Sequence, residues 1–277
     1  MLEATAAEPR QQSRRKSVAE PKAEPRRLRV LFVTENEPFF LGETFRKLVK
    51  TRPDWLDIGA VALLAFAPFG TPGGLLTRAS LARTYGAITT LKTAFKLAAT
   101  WLTPWRHLPR VLRKSGTELV RIREVNSAEM RALIERVDPD VIVAMGLNCI
   151  VSASMLNSGR AQWINVHLGL LPRHRGPAPL FWAMHDGDAE TGVSVHMMVE
   201  RVDAGAVLVQ KRRPLDGALY PQIGHLRMLS IDALYEALER FGRGDIPPAS
   251  DLPLPPAHRA PKRADVVRFF GAGNRIL

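Results

Sequence analysis

The sequence predicts an α/β fold, a Rossmann-like, doubly wound and mostly parallel sheet. Short continuous apolar runs, such as Leu28 to Thr34 and Asp140 to Met145, are typical of strands that are buried on both faces. Amphipathic helical patterns alternate with these runs over short connections, as at Ser127 to Val137, where Ser127 is the predicted N-cap. Because ligands of such sheets bind beyond the carboxyl ends of the strands, we expect the functional site there.

The segment before the first strand has a different composition. Met1 to Arg27 is rich in Ala, Glu, Pro and Arg with almost no large apolar residue, which predicts a disordered basic tail. It lacks the apolar core of a signal peptide, and no apolar run approaches the roughly 18 residues of a membrane span. With Cys149 as its one cysteine, the chain cannot form an internal disulfide, and a cytoplasmic location is expected.

The first strand opens a strand–loop–helix unit. An amphipathic helix is predicted to end near Lys50, and Ile58 to Ala67 is the predicted second strand. No G-x-G-x-x-G motif accompanies this unit, which argues against a dinucleotide-binding dehydrogenase.

The segment from Thr77 to Arg123 is basic, and Glu118 is its only acidic residue. Lys92 and Lys96 lie on a face that adjoins a set of apolar residues at helical spacing. We expect a helix that packs on the core and exposes a basic face. The alternative is an amphipathic helix that lies on an anionic membrane or faces an anionic acceptor. The apolar set is Ile88, Leu91, Phe95, Ala98 and Leu102.

The rest of the chain continues the alternation of strands and helices. Its predicted strands are Glu118 to Val125, Gln162 to Val166, Thr191 to Val199 and Ala206 to Arg213. Its predicted helices are Ser152 to Asn157, Gln222 to Phe241 and Asp265 to Phe270, and Asp245 to Pro261 is a proline-rich arm. The predicted units are a tail over 1–27, a catalytic domain over 28–215, and a C-terminal helix and arm over 216–277.

Polar residues follow two of these predicted strands where apolar ones are expected. Asn165 and His167 are two apart in an extended segment, so their side chains point to the same face. An amide supplies a donor for a developing oxyanion, and a histidine exchanges a proton near neutral pH. Asp203, in a later turn, is placed to orient the imidazole. The alternative is that each of these residues has a structural role.

Four blocks of sequence occur in order between Asn165 and Gly205: N-x-H, LLPRHRG, GDAETGVSVH and VDAG. This pattern resembles the formyltransferases that use 10-formyltetrahydrofolate, which include glycinamide ribonucleotide, methionyl-tRNA and sugar-nucleotide formyltransferases. The UDP-aminoarabinose enzymes are the most similar group by these motifs. Similarity is dense from about Val141 to Gln210. Leu170 stands where many members have Ser, and Pro177 stands where the aminoarabinose enzymes have an acceptor-side Arg.

The resemblance implies roles for three sets of residues. Asn165, His167 and Asp203 fall on the family's catalytic residues, and no metal is implied. The folate pocket falls on three segments, whose residues are Cys149, Ile150, Val151, Leu170, Leu171, Pro172, Val199, Glu200, Arg201 and Val202. In the implied mechanism Asn165 and a protonated His167 hold the oxyanion, and Asp203 stabilises the imidazolium.

Four further polar residues lie near these motifs. His174 and Arg175 belong to the loop over the site, where they either contact an acceptor phosphate or are solvated. We expect structural roles for His185, in a predicted helix, and for His196, in a predicted strand.

The resemblance implies formyl transfer from 10-formyltetrahydrofolate to a primary amine of a small molecule, with an amino sugar on a nucleotide as the favoured acceptor. Alternatives are a methionyl-tRNA formyltransferase-like enzyme and a non-catalytic folate-binding protein. A formal net charge of +12 favours an anionic partner. Nucleic acid is less favoured, because only 36 residues follow Phe241, where methionyl-tRNA enzymes carry a second domain. Peripheral membrane contact stays open, and no oligomeric state is predicted.

Overall fold

The computed structural model describes residues 26–65, 85–103, 107–248 and 253–277. Most of the predicted tail, 1–27, therefore lies outside the described residues. The strands are β1 (Leu28–Glu35), β2 (Leu56–Leu64), β3 (Leu119–Ile122), β4 (Val141–Met145), β5 (Gln162–His167), β6 (Glu190–Met197) and β7 (Val207–Pro214). The helices in these ranges are α1 (Leu41–Thr51), α2 (Ala87–Trp101), α3 (Leu108–Ser115), α4 (Ala128–Val137), α5 (Ala153–Leu156), α6 (Pro179–His185), α7 (Leu219–Gly242) and α8 (Arg263–Gly271).

The strands form one seven-stranded sheet in the order β3-β2-β1-β4-β5-β6-β7. Pairing is parallel from β3 to β5 and antiparallel for β5 with β6 and for β6 with β7. Alternate residues of β1 enter different cores, Val30 and Phe32 on one face and Leu31 and Val33 on the other. The sheet is thus covered on both faces, and the predicted doubly wound, mostly parallel α/β fold is confirmed.

The register of β5 places the N-x-H motif between two neighbouring strands. Asn165 lies opposite Ala144 of the parallel strand β4. On its other side Asn165 lies opposite His196 of the antiparallel strand β6, and His167 lies opposite Ser194. Residues that directly face each other across a sheet have neighbouring side chains. The pairing of β5 with β6 therefore brings a second histidine to Asn165.

Several boundaries differ from the prediction. β2 begins at Leu56 and ends at Leu64, and the end of the predicted strand, at Ala67, lies outside the described residues. β3 covers only Leu119–Ile122, because Glu124 to Ser127 turn into α4. The N-cap prediction for α4 is confirmed, since the Ser127 side chain accepts a hydrogen bond from the Met130 N–H.

The expectation that the helix after Thr77 packs on the core is wrong for α2. Its predicted apolar stripe is exposed: Ile88 is 74% exposed, Leu91 73% and Phe95 75%. Lys96, next to this stripe, lies over the Tyr220 ring, with Nζ 3.7 Å from the ring centroid. The core contact of this region is made instead by α3, through buried Leu108, Val111 and Leu112.

The C-terminal part of the chain returns to the loop that follows β5. The His258 N–H donates to the Arg175 carbonyl at 2.8 Å, and the Trp182 indole donates to the Arg259 carbonyl at 3.0 Å. On α8, the Phe269 ring stacks on Phe181 of α6 at 4.8 Å. The predicted proline-rich arm therefore packs against the region of the predicted site.

Candidate active site

The structure brings together the three residues predicted to be catalytic. The Asn165 amide nitrogen lies 3.4 Å from Asp203 Oδ1, and His167 Nδ1 lies 3.6 Å from Asp203 Oδ2. The two strand residues project from one face of β5, and Asp203 reaches them from the loop between β6 and β7. His167 and Asp203 are nearly buried, with side-chain exposures of 6% and 10%. A single carboxylate therefore links the amide and the imidazole.

Asp203 is fixed by its backbone as well as by its side chain. Its φ of +45° is in the left-handed region, which costs energy for a residue other than glycine. Arg175 stabilises this turn, because its guanidinium donates to the carbonyls of Val202 and Asp203. The Gly176 N–H donates to Asp203 Oδ2 at 2.7 Å. The loop that follows β5 thus sets the position of the carboxylate.

The Asp203 carboxylate is ionised at neutral pH. Burial alone raises its pKa, but several neighbours outweigh that effect: His196 at 3.3 Å, His167, and the Gly176 N–H. Together they hold the pKa of Asp203 well below its usual range. The site therefore contains a fixed negative charge beside two imidazoles.

His167 is tethered through one ring nitrogen and open at the other. Nε2 lies 2.7 Å from the His174 carbonyl oxygen, which can only accept, so Nε2 carries a proton. Burial lowers the pKa of His167, and the attraction of Asp203 opposes the shift only in part. The imidazole is therefore neutral in the free protein at pH 7, with the Nδ1 lone pair on the side of Asp203.

His196 is a site residue that the sequence reasoning missed. Its Nε2 lies 3.2 Å from the Asn165 amide and 3.3 Å from Asp203 Oδ1. Its Nδ1 lies 2.8 Å from the Met197 carbonyl, which fixes the ring orientation. The pattern of β6 alone predicts a structural role for His196. The pairing of β5 with β6 is what identifies His196 as a site residue, because Asn165 and His196 are cross-strand neighbours.

The loop residues His174 and Arg175 are not solvated, which corrects one of the two interpretations offered for them. Each is only 2% exposed. Besides its contacts in the Asp203 turn, Arg175 donates to the Pro255 carbonyl at 2.6 Å. His174 Nε2 lies 2.6 Å from Asp188. Because Arg175 is occupied by three carbonyls, it positions the loop and is not available to an acceptor phosphate.

The three residues open onto a cavity of about 530 Å³. The cavity lies beyond the ends of β4 and β5, as expected for this sheet topology. Six of the residues predicted to bind folate line it: Cys149, Ile150, Val151, Val199, Glu200 and Val202. The other four, Leu170, Leu171, Pro172 and Arg201, lie outside its wall. The Leu171 N–H and carbonyl bind Ser194 and Gln210, respectively, so this part of the loop anchors to β6 and β7.

The cavity has an exposed apolar wall. Ile150 is 68% exposed, Val199 46% and Val202 39%. Large apolar side chains that are exposed together around a concavity are typical of a ligand site. This wall therefore suits an apolar part of a ligand.

The cavity also contains the chain's one thiol. Desolvation, with a smaller contribution from Glu35, raises the pKa of Cys149 to about 11. The thiol is therefore neutral at pH 7 and is not an activated nucleophile.

One group of side chains in the described ranges has metal-ligating atoms within 4.8 Å of one another, namely those of His174, Asp186 and His258. The rings of His174 and His258 are stacked, 19° from parallel at 5.5 Å. Lone pairs of parallel stacked rings point along separate planes, so they do not converge on one ion. We interpret this group as a packing contact between the arm and the loop after β5.

Comparison with known proteins supports the predicted resemblance. Residues 106–218 match a family model described as formyl transferase. A methionyl-tRNA formyltransferase from Levilactobacillus brevis is 35% identical over 127 residues, which cover 44% of this chain and 39% of the relative. The chain thus matches less than half the length of the curated relatives. The resemblance to the formyltransferases is confirmed over the segment that carries Asn165, His167 and Asp203.

Solved structures extend the similarity to most of the chain. Glycinamide ribonucleotide transformylase 1 from Symbiobacterium toebii has a TM-score of 0.55 and 15% identity, over 78% of this chain and 88% of that one. A sugar N-formyltransferase from a Shewanella species has a TM-score of 0.52 and 18% identity, over 87% of each chain. At such low identity these structures establish a shared fold.

Proposed function

We propose that this protein transfers a formyl group from 10-formyltetrahydrofolate to a primary amine. The observation that carries the proposal is the convergence of Asn165, His167 and Asp203 at a cavity with an exposed apolar wall. The family match over 106–218 supports the same reaction. Asn165, His167 and Asp203 are the proposed catalytic residues. The proposed folate-binding residues are those of the predicted set that line the cavity.

Asn165 supplies the donor for the oxyanion. When the neutral amine attacks the formyl carbon, the carbonyl oxygen gains negative charge and needs a fixed hydrogen-bond donor. Asn165 lines the cavity, and the 3.4 Å contact of its amide with Asp203 is long for a hydrogen bond. That N–H is therefore the one exchanged for the substrate oxygen. His196, at 3.2 Å, keeps the amide in place.

His167 and Asp203 move the proton. The new C–N bond leaves a positive charge on the attacking nitrogen, which loses one proton while N10 of the folate gains one as the old C–N bond breaks. Neutral His167 accepts the proton of the attacking nitrogen at Nδ1, and the imidazolium pairs with Asp203, 3.6 Å away. The imidazolium then gives this proton to N10 as the old C–N bond breaks, which returns His167 to its neutral form. Asp203 stays ionised throughout, because its pKa is well below its usual range. The products are the formamide and tetrahydrofolate.

We infer a small amine as the acceptor, and an amino sugar on a nucleotide is the favoured candidate. The cavity of about 530 Å³ suits small-molecule ligands, and a sugar N-formyltransferase shares the fold. Methionyl-tRNA is the second candidate. It is favoured by the names of the curated relatives and by the charge of +12.

The test is an incubation of the full chain with 10-formyltetrahydrofolate and, separately, amino-sugar nucleotides and methionyl-tRNA. Tetrahydrofolate release and the mass of a formyl group on the acceptor are followed together. Modified sugar nucleotide supports the complete proposal. Modified tRNA keeps the chemistry and replaces the acceptor, and a chain that binds no folate contradicts the proposed function.

A further inference from the structure

An aromatic stack joins the proline-rich arm to the loop after β5. The His258 imidazole of the arm stacks on Trp182 of α6, at 4.7 Å and 12° between the ring planes. It also stacks on the His174 ring of the loop, at 5.5 Å and 19°. Rings at these separations attract each other, and the attraction depends on their orientation. His258 is partly buried and lines the cavity, so the arm meets the loop at the edge of the site.

The backbone of the arm holds the next two residues of the loop. The His258 N–H donates to the Arg175 carbonyl at 2.8 Å, and the Pro255 carbonyl accepts from Arg175 Nη1 at 2.6 Å. Gly176 lies so close to the arm that a Cβ built on it would collide with the His258 carbonyl oxygen. The arm therefore contacts three consecutive residues of the loop, 174–176.

The same three loop residues contact the catalytic residues on their other side. The His174 carbonyl accepts from His167 Nε2 at 2.7 Å, and the Gly176 N–H donates to Asp203 Oδ2 at 2.7 Å. Arg175 holds the backbone of the Asp203 turn through two of its carbonyls. These contacts set the 3.6 Å distance between His167 Nδ1 and Asp203 Oδ2. A displacement of the loop therefore changes the geometry of the two groups that handle the proton.

We propose that His258 is a positioning residue, which sets the geometry of His167 and Asp203 through the loop after β5. The flat aromatic ring performs this role, since the ring makes both stacks. The ring nitrogens are not required, and His258 transfers no proton. The kinetic test of this inference rests on the proposed function, whereas the link between the arm and the loop does not.

The kinetic test compares His258→Ala with His258→Phe in the full chain. His258→Ala removes both stacks, and its kcat should fall by about tenfold to a hundredfold, since a displacement of about 1 Å can cost 10² in rate. Its KM for 10-formyltetrahydrofolate should stay within about twofold of wild type, as expected when geometry and not ligand binding is lost. His258→Phe restores a flat ring without nitrogens and should recover about half or more of the wild-type kcat.

The matched control is His225→Ala. His225 is an exposed histidine on α7 that does not line the cavity, so the variant should keep the wild-type kcat. If His258→Ala fails to fold, His258→Leu replaces it. This change fills the volume of the ring without its flat face, and its kcat should stay well below that of His258→Phe.

Hydrogen exchange measures the link between the arm and the loop without the reaction. In His258→Ala the peptides that cover 174–176 and 201–204 should exchange about tenfold faster or more, because local opening becomes easier. Peptides of β4 should exchange as in wild type. His258→Phe should restore slow exchange to the loop and the Asp203 turn.

Three results would overturn the positioning role: a wild-type kcat in His258→Ala, a His258→Phe variant as slow as His258→Ala, or a raised KM for folate with an unchanged kcat. The second result would assign the role to the ring nitrogens, and the third would make His258 a ligand-binding residue. A wild-type protein that transfers no formyl group would defeat the proposed function. Exchange then decides the link by itself, and equal exchange in wild type and His258→Ala would refute it, so the two failures are distinguishable.

Discussion

At the scale of single residues, loss of the Asn165 side chain should slow formyl transfer and leave the stability of the protein nearly unchanged. We expect Asn165→Ala to slow formyl transfer by about 10² to 10³, because one oxyanion donor is lost. Its melting temperature should stay near that of wild type, since the amide's contacts, at 3.2 and 3.4 Å, are weak. Asn157→Ala removes an amide that binds the Ala153 carbonyl outside the cavity, and it is the control for rate. More than about a tenth of wild-type turnover in Asn165→Ala would contradict the assignment.

The burial of His167 makes the stability of the protein depend on pH. Burial lowers its pKa below the ordinary value of 6.5, so below pH 6.5 the unfolded chain takes up a proton that the folded chain does not. The free energy of unfolding then falls as the pH falls, by up to about 1.4 kcal/mol per pH unit from this group. The contribution of Asp203, whose pKa is also lowered, is lost only below its ordinary value of 3.8.

We therefore expect denaturant titrations of wild type between pH 7 and pH 5 to show falling stability, and His167→Asn to show a shallower fall over the same interval. The difference between the two slopes is the quantity to measure. Parallel profiles would mean that His167 is not held neutral in the folded protein.

The sequence was sufficient for the residues that lie in the N-x-H motif and the Asp203 turn, because their positions depend on local geometry and on four ordered motifs. It was insufficient for His196 and His258. His196 enters the site through the pairing of β5 with β6, and His258 enters it from the arm, 82 residues beyond Gly176. A pattern along one strand or helix does not contain such contacts. The sequence did not predict the burial of Arg175 for the same reason, because its carbonyl partners lie 27 to 80 residues away along the chain.

At the scale of elements, α2 is the part whose behaviour is most unlike its pattern. Its apolar spacing predicts a core face, yet Leu91 and Phe95 are exposed while α3 makes the core contact. A periodic pattern shows that one face is apolar, and only the tertiary structure shows what that face meets. Of the described helices, none combines the length and apolar character needed to cross a bilayer.

We expect the double substitution Leu91→Ser and Phe95→Ser to leave the free energy of unfolding within about 0.5 kcal/mol of wild type, as is usual for exposed positions. Leu133→Ser on α4, where the side chain is 4% exposed, should cost several times more and is the matched control. Co-sedimentation with anionic liposomes tests the membrane interpretation. Wild type should sediment with them and the double variant should not. A large loss of stability in the double variant would show instead that this face is packed.

At the scale of the whole molecule, the net charge of +12 can bind nucleic acid without making it the acceptor. An experiment must therefore distinguish binding through charge from recognition of the acceptor. A basic protein binds tRNA through phosphates, and six to ten such contacts lose roughly 10³ to 10⁵ in affinity between 50 and 200 mM salt. We expect mobility shifts with methionyl-tRNA to show this steep loss. The kcat/KM for a small amine should change much less over the same range. If tRNA binding stays tight at 200 mM salt and the methionyl-tRNA is formylated, methionyl-tRNA would replace the small amine as the favoured acceptor.

The strand order has a practical consequence for anyone who would express part of this protein. The segment that matches the family model, 106–218, contains β3 to β7 but not β1 or β2, and these two strands lie between β3 and β4. A fragment cut at those borders would leave β3 detached and one edge of β4 open, with unpaired N–H and C=O groups that invite aggregation. It would also omit the arm residues that close the cavity. Inclusion bodies are therefore the expected product of that fragment, and a soluble domain should begin no later than β1 and continue through α8.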